Sequence, residues 1–349
     1  MSPDLQVTEF AGDRAEWDGF VDASPHGTFF HLLGWRDVLQ AAFGFRAHYL
    51  AARRGGELVG VLPLCAVPLG LRAHALLSLP FAIEAGVCAA DGAAHRALDA
   101  AAVALAAARG ATYLELRDGV DADQRFRVRE GLYFRFRRPL HATDEENFAA
   151  IPRKQRRMVR VGQRAGLRAD SETPRVEVLH DLYARSVRRL GTPVFPLAYF
   201  RLLMRTFPER SAVLTVSAGG RPVAAVLSFL FRDTIMPYYA GSRRESFRQA
   251  ANDFMYWELM RYARRRGARR FDFGRSKLGT GAFAFKRHWG FEPEALRYRV
   301  HARDGGALVE RRIDDPGVRV LRWGWRHLPL ACTKRLGPVL LRRFGAAYT

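Results

Sequence analysis

With 349 residues, 48% of them hydrophobic and 26% charged, the chain has the composition of a folded protein rather than a disordered or fibrous one, and the length of two domains. A formal net charge of +21 raises nucleic acid or a membrane surface as partners. Only four of the 56 basic residues are lysine, however, a skew that fits genomic base composition, so the informative question is where the charge concentrates. It does so in two stretches, from Pro152 to Ala169 and from Gly317 to Thr349, each with seven basic residues and no acid.

In chain order, Met1 to Phe20 carries five acids and no apolar run of signal-peptide length, so export is not expected. His26 and His31 sit in the aromatic segment Ser24–His31 without nearby carboxylate or cysteine partners and read as structural. Gly55-Gly56 is a turn, and the run up to Leu64 is a buried strand. His95 to Arg109 reads as a helix stopped by Gly110, with a strand over Thr112–Leu116. The alanine-rich part of that helix, Ala97–Ala108, is the most apolar stretch and is too short to span a bilayer. Cys65, Cys88 and Cys332 are far apart in apolar settings and read as buried thiols, with no disulfide framework or metal site.

Ile151–Leu167 reads as an amphipathic helix ended by Gly166. Arg153, Arg157, Arg160 and Arg164 form one stripe, and Met158, Val161 and Ala165 form the docking face. That stripe is either a solvated face or a platform for the phosphates of a nucleotide-linked, lipid-linked or tRNA-borne substrate. Beyond it the order of the first half returns: the turn Gly219-Gly220, a strand to Phe229, a helix from Asn252 to Arg266 with Asn252 or Asp253 as N-cap, the stop at Gly267 and a strand over Arg270–Phe273. The turns are 164 residues apart and the stops 157, so the copies are out of strict register. Alternating strands and helices of this kind predict an α/β fold with mixed sheets, duplicated: residues 1–150, residues 151–316, and a basic aromatic tail over 317–349. In the tail, Trp323 and Trp325 alternate with Arg319, Arg322 and Arg326, and Pro329 and Pro338 are expected to break any long helix. The tail is either packed on the second domain or held to an anionic membrane surface.

No Walker sequence, zinc pattern or nucleophile elbow is present, so chemistry is sought in Arg270–Pro293. There a strand ending at Phe273 is expected to open into a loop punctuated by Gly274, Gly279 and Gly281, where backbone can approach a ligand. Two of the four lysines, Lys277 and Lys286, fall in this region, and in a chain that otherwise writes arginine they suggest a compact or titratable amine.

The segments Phe271–Lys277 and Phe285–Pro293, together with Thr28–Trp35, Ser78–Phe81 and the arginine-rich helix, resemble the FemAB-related proteins associated with exosortase and exopolysaccharide systems. Ile83–Gly86 departs from that group's tyrosine-glycine-glycine pattern, and no inserted helical arm is present. The resemblance implies two tandem GNAT-like acyltransferase domains. It also implies transfer of an acyl or aminoacyl group from acyl-CoA or aminoacyl-tRNA to an amine of an anionic envelope or polysaccharide precursor, without metal or DNA. The chain would be cytoplasmic or peripheral at the inner membrane. On this reading Lys286 and Asp272 are the catalytic candidates, and Arg275, Ser276, Lys277, Phe285, Arg153, Arg157 and Arg160 hold substrate. A non-catalytic protein that binds an anionic precursor or RNA, and a membrane-surface scaffold, are the alternatives.

Overall fold

The computed structural model describes residues 4–70, 72–119, 124–302 and 316–345, with side chains from 319 onward in the last segment. The chain forms two compact units. The first takes the residues up to Leu132, the strand Tyr298–Ala302 and the end of the chain from Val339; the second takes Tyr133–Ala295 and the tail up to Pro338.

The sheet of the first unit places Leu5–Glu9, Arg46–Arg54, Glu57–Pro68, His74–Leu77, Tyr113–Leu116, Tyr298–Ala302 and Arg127–Arg129 side by side in that order, with Cys88–Ala89 paired off Glu57–Pro68. The sheet of the second unit runs Pro293–Ala295, Tyr133–Pro139, Arg270–Lys277, Thr234–Ser242, Arg221–Phe231, Ser211–Ala218 and Arg168–Asp170. Each contains one parallel pair, His74–Leu77 with Tyr113–Leu116 and Thr234–Ser242 with Arg270–Lys277, and a helix connects the two strands of each pair. The expected duplication of a mixed α/β fold is what the chain forms. Strands distant in sequence meet in both sheets: Tyr133–Pro139 pairs with Arg270–Lys277 in the second, and Tyr298–Ala302 with Tyr113–Leu116 in the first.

Local chemistry explains the connecting helices. Gly92–Ala108 starts earlier than the periodicity suggests because the Asp91 side chain accepts the N–H groups of Ala93 and Ala94, and it buries Ala94, Leu98, Ala102 and Ala106 at helical spacing. The helix Ala251–Arg265 has no side-chain cap. It is entered through Ala250 in the left-handed region (φ 52°), so Asn252 and Asp253 lie inside the first turn rather than at the N-cap. Phe254, Met255, Trp257 and Met260 then pack on one sheet face with Leu214, Val216, Ala224 and Val226.

The tail forms two helices, Pro316–His327 and Leu330–Phe344, divided at Pro329; Pro338 lies inside the second instead of ending it, where Gly337 rests against the backbone of Val194. Up to Pro338 the tail docks on the second unit. Arg322 donates to the Leu190 carbonyl, Arg188 to the Leu328 carbonyl, and Lys334 pairs with Asp181 at 2.8 Å. Cys65 and Cys88 are buried as expected, but Cys332 is exposed on the tail helix, where the apolar face it suggested is turned elsewhere.

The strand Tyr298–Ala302 is fixed by charge. Arg299, almost fully buried, donates to Asp99 at 2.7 and 3.0 Å and to Asp118 at 2.5 and 2.8 Å, with its guanidinium 4.8 Å from the Phe126 ring centre. Removing one partner of a buried cluster strands the others, which typically costs about 3–5 kcal/mol. Arg299→Met is therefore expected to lose stability of about that order in urea unfolding. Arg299→Met combined with Asp99→Asn and Asp118→Asn should recover part of the loss.

Candidate active site

The parallel pair of the second unit is short. Registered pairing joins Thr234 to Arg270 and Ile235 to Phe271, after which the strands run on to Ser242 and Lys277 without pairing to each other. Beyond that point each strand has backbone N–H and C=O groups on the side away from its remaining neighbour, a ready set of donors and acceptors for an extended ligand. The corresponding place in the first unit is stitched shut. There Ser78 N–H donates to the Glu115 carbonyl, the Ser78 hydroxyl accepts from Arg117 N–H, and the buried Arg117 guanidinium holds Glu115 and the Ala82 carbonyl. Two non-glycine residues there, Leu79 and Phe81, occupy left-handed backbone.

Arg270–Lys277 is one strand carrying a bulge, not a strand that yields to a loop at Phe273. The ladder to Tyr133–Pro139 shifts between Asp272 and Arg275, and Gly274 takes φ 68°, where a side chain would be strained. Asp272, fully buried, holds the bulge from one side: it accepts Gly274 N–H at 2.8 Å and is clamped by Arg135 through Nε at 2.7 Å and Nη2 at 2.6 Å. With both oxygens engaged, Asp272 is placed to position backbone. Lys286 holds the bulge from the other side. It lies in the helix Gly281–His288, capped by the Thr280 hydroxyl, and its Nζ donates to the carbonyls of Gly274 at 3.1 Å and Arg275 at 3.0 Å. Burial lowers the Lys286 pKa to about 7; nearby Asp272 opposes that shift, and Arg275 adds to it. The Phe136 ring lies 5.5 Å below the amine. The result is a caged amine close to half-charged at neutral pH.

Of the other residues expected here, Arg275 stacks its guanidinium 4.5 Å from the Tyr133 ring centre. Ser276 is buried with its hydroxyl lacking a hydrogen-bond partner among the described residues, so it is free for a ligand or water. Lys277 is half-buried and uses its carbonyl to accept the Thr280 hydroxyl. Phe285 packs on Tyr256, Phe273 and Trp289, so it builds the wall behind Lys286. Arg153, Arg157 and Arg160 are exposed along the helix Arg153–Arg164, Arg160 5.2 Å over the Phe148 ring. That helix turns its buried side one position from where periodicity put it. Gln155, Val159 and Gly162 face inward, because Gly162 admits the Phe254 side chain, while Ala165 is exposed. Pro152, just before Arg153, packs within 3.0 Å of where a side chain on Gly290 would begin, so the basic helix starts beside the end of the lysine-bearing helix.

Sequence reasoning missed Asp253, which it treated only as a cap. Its carboxylate accepts the Trp289 indole N–H at 3.1 Å, and burial raises its pKa to about 6 against that bond. His31 is structural, as expected. Its Nδ1 accepts Thr28 N–H, its Nε2 meets the Gly86 carbonyl, and burial lowers its pKa to about 4.

The two shifts have opposite consequences with pH. Asp253 binds its proton more tightly folded than unfolded, so the stability it contributes is present below about pH 4 and is lost as pH rises through about 6. Asp253→Asn should therefore be more stable than the parent by about 1–3 kcal/mol at pH 7.5, converging with it near pH 4; urea midpoints at the two pH values check this. Lys286 stays protonated in the unfolded chain long after the folded one has lost its proton, so its contribution grows as pH rises from about 7 towards 10.5. A 13Cε titration is expected to show one lysine with a midpoint near 7, missing in Lys286→Met.

The acetyltransferase (GNAT) domain family matches residues 147–287, within the second unit. No curated protein matches the sequence. Among solved structures, the fold resembles FemX, at 18% identity and TM-score 0.66 over 84% of this chain and 96% of that one. It also resembles the L-PGS of Bacillus licheniformis, at 13% identity and TM-score 0.54 over 91% and 98%. A tandem GNAT protein from the clavulanic acid biosynthesis pathway matches at 15% identity and TM-score 0.52 over 87% and 100%. The chain thus has the mixed α/β fold of tandem GNAT-like proteins, and its second unit carries the segment that matches the acetyltransferase domain.

Proposed function

We propose that the protein is an N-acyltransferase of FemAB type, moving an acyl or aminoacyl group from acyl-CoA or aminoacyl-tRNA to an amine of an anionic cell-envelope or exopolysaccharide precursor. The observation that carries this reading is the caged Lys286 beside an unpaired strand opening, inside the segment that matches the acetyltransferase family. The acceptor amine attacks the ester or thioester carbonyl. A C–N bond forms, the C–O or C–S bond breaks, and the amine's proton ends on the departing oxygen or sulfur. Most of the rate comes from holding the two reactants in line along the opening. Negative charge developing on the carbonyl oxygen draws on unpaired backbone N–H groups and on the Lys286 ammonium, whose charged form that oxygen favours. Asp272 keeps the bulge in shape, Ser276 offers its spare hydroxyl, and Arg275 with Arg153, Arg157 and Arg160 attracts the phosphates of donor or acceptor.

Lys286→Ala is expected to lose about a hundred- to a thousandfold in turnover with its fold intact. Lys286→Arg should also lose most activity, because a planar fork cannot sit where a point charge is held by two carbonyls. Parallel assays with labelled acyl-CoA and aminoacyl-tRNA identify the donor. Binding of an anionic precursor without turnover of either donor would return the non-catalytic reading.

The exposed face of Pro316–His327 supports a peripheral place on an anionic bilayer. Val320, Leu321 and Trp323 are each more than 60% exposed and are flanked by Arg319 and Arg326, the pattern of an interfacial helix. Leu321→Ser with Trp323→Ser should lower co-sedimentation with phosphatidylglycerol vesicles several-fold. Equal sedimentation of variant and parent would remove the membrane from the proposal.

A further inference from the structure

We propose that Asp253 is the binding point for a primary ammonium group of a substrate, with the hydroxyl and ring of Tyr256 completing the site. This deepens the transferase reading, on which the role of that ammonium as part of a reactant rests.

The first observation is a carboxylate without a cation. Among the described residues of the second unit, every other aspartate or glutamate that is buried or half-buried pairs with an arginine or lysine, as Asp144, Asp181, Glu258 and Asp272 do. Asp253, half-buried, meets only two neutral donors: the Trp289 indole N–H at 3.1 Å and its own backbone N–H. In a chain with 56 basic and 35 acidic residues, that isolation is the exception. The carboxylate is desolvated without being paired, which costs the fold stability at neutral pH. Asparagine would accept the same indole N–H at no such cost, so holding Trp289 does not account for the charge.

The surroundings suit a cation. Tyr256 stands one turn along the same helix, and burial followed by the charge of Asp253 raises the pKa of its hydroxyl, which places the two groups close together. Among the described residues Tyr256 makes ring contacts and no hydrogen bond, so its oxygen is available to accept, and its ring adds attraction for positive charge. Tyr256, Phe273, Phe285 and Trp289 pack as one aromatic wall. Asp253 holds that wall through Trp289, and Lys286 adjoins it through Phe285. The two side chains have complementary tastes: the lysine draws a carbonyl oxygen and the aspartate an amine. One carboxylate oxygen is already taken by the indole, so a guanidinium cannot grip both oxygens, and a compact ammonium is the better fit. Such a group comes either from the acceptor amine or from the α-amine of an aminoacyl donor.

The test is a binding measurement on the full chain. The indole 15N–1H signal of Trp289, assigned through Trp289→Phe, reads the carboxylate directly, and calorimetry with the same compounds needs no assignment. At about pH 7 Asp253 is largely ionised and simple amines keep most of their protons. D-glucosamine or L-alanine methyl ester should then bind saturably and about tenfold or more tighter than its N-acetylated counterpart, which has the same frame and no ammonium. Asp253→Asn keeps the indole acceptor and should weaken that binding by on the order of ten- to a hundredfold. Glu292→Gln, which removes the same charge from an exposed position beyond the lysine-bearing helix, should change it by less than about twofold. Thermal melting of each variant verifies the fold. Tighter binding of the amino sugar assigns the acceptor amine, and tighter binding of the ester assigns the α-amine of the donor. No saturable binding, no preference over the N-acetylated compounds, or equal binding by Asp253→Asn overturns the site. Ammonium binding without turnover of acyl-CoA or aminoacyl-tRNA keeps the site and removes the transferase reading, whereas turnover that Asp253→Asn leaves unchanged removes the site and keeps that reading.

Discussion

The bulge at Gly274 is the constraint on which the candidate site of the second unit depends. Strands Thr234–Ser242 and Arg270–Lys277 stop pairing after Ile235 and Phe271, and the second then bulges at Gly274, whose left-handed backbone costs least in a residue without a side chain. A bend of this kind is locally unfavourable and persists because it is held twice: by Asp272, itself clamped by Arg135, and by the amine of Lys286. Burial sets the electrostatics at the same place: it strips hydration from the Lys286 amine and lowers its pKa, Asp272 opposes that shift and Arg275 adds to it.

The first unit shows what the fold does without that device. It keeps the same parallel pair, but its inward-facing charges are spent on the structure. Glu115 and Arg117 bind one another and the Ser78–Ala82 segment, and Arg299 is shared between Asp99 and Asp118. Buried charge in one unit closes a seam, and in the other it props one open.

Much of this was legible in the sequence, for identifiable reasons. The duplication showed because glycine stops and alternating apolar runs are local signals, and Lys286 stood out because lysine is rare here. The bulge did not show: a glycine after a strand reads as a loop unless the long-range pairing to Tyr133–Pro139 is known. Asp253 was hidden by its neighbour Asn252, since the pair resembles a cap, and the burial that raises its pKa against the Trp289 hydrogen bond comes from tertiary packing. The helix Arg153–Arg164 was placed one residue out of phase because the decisive contact, Phe254 against Gly162, depends on the absence of a side chain.

The crossing of strands between the two stretches of chain bears on how the protein is made. The first sheet is complete only with Tyr298–Ala302, nearly two hundred residues beyond its neighbour Tyr113–Leu116. A nascent chain emerging from the ribosome can form the Ala-rich helix and the hairpins early, but Asp99 and Asp118 wait for Arg299 until most of the second unit has been synthesised. Long-range closure of this kind slows folding, and it leaves the strand Tyr113–Leu116 with an open edge in the meantime. The same connectivity that ties the two halves into one chain thus leaves the first sheet unfinished until the strand Tyr298–Ala302 has been synthesised.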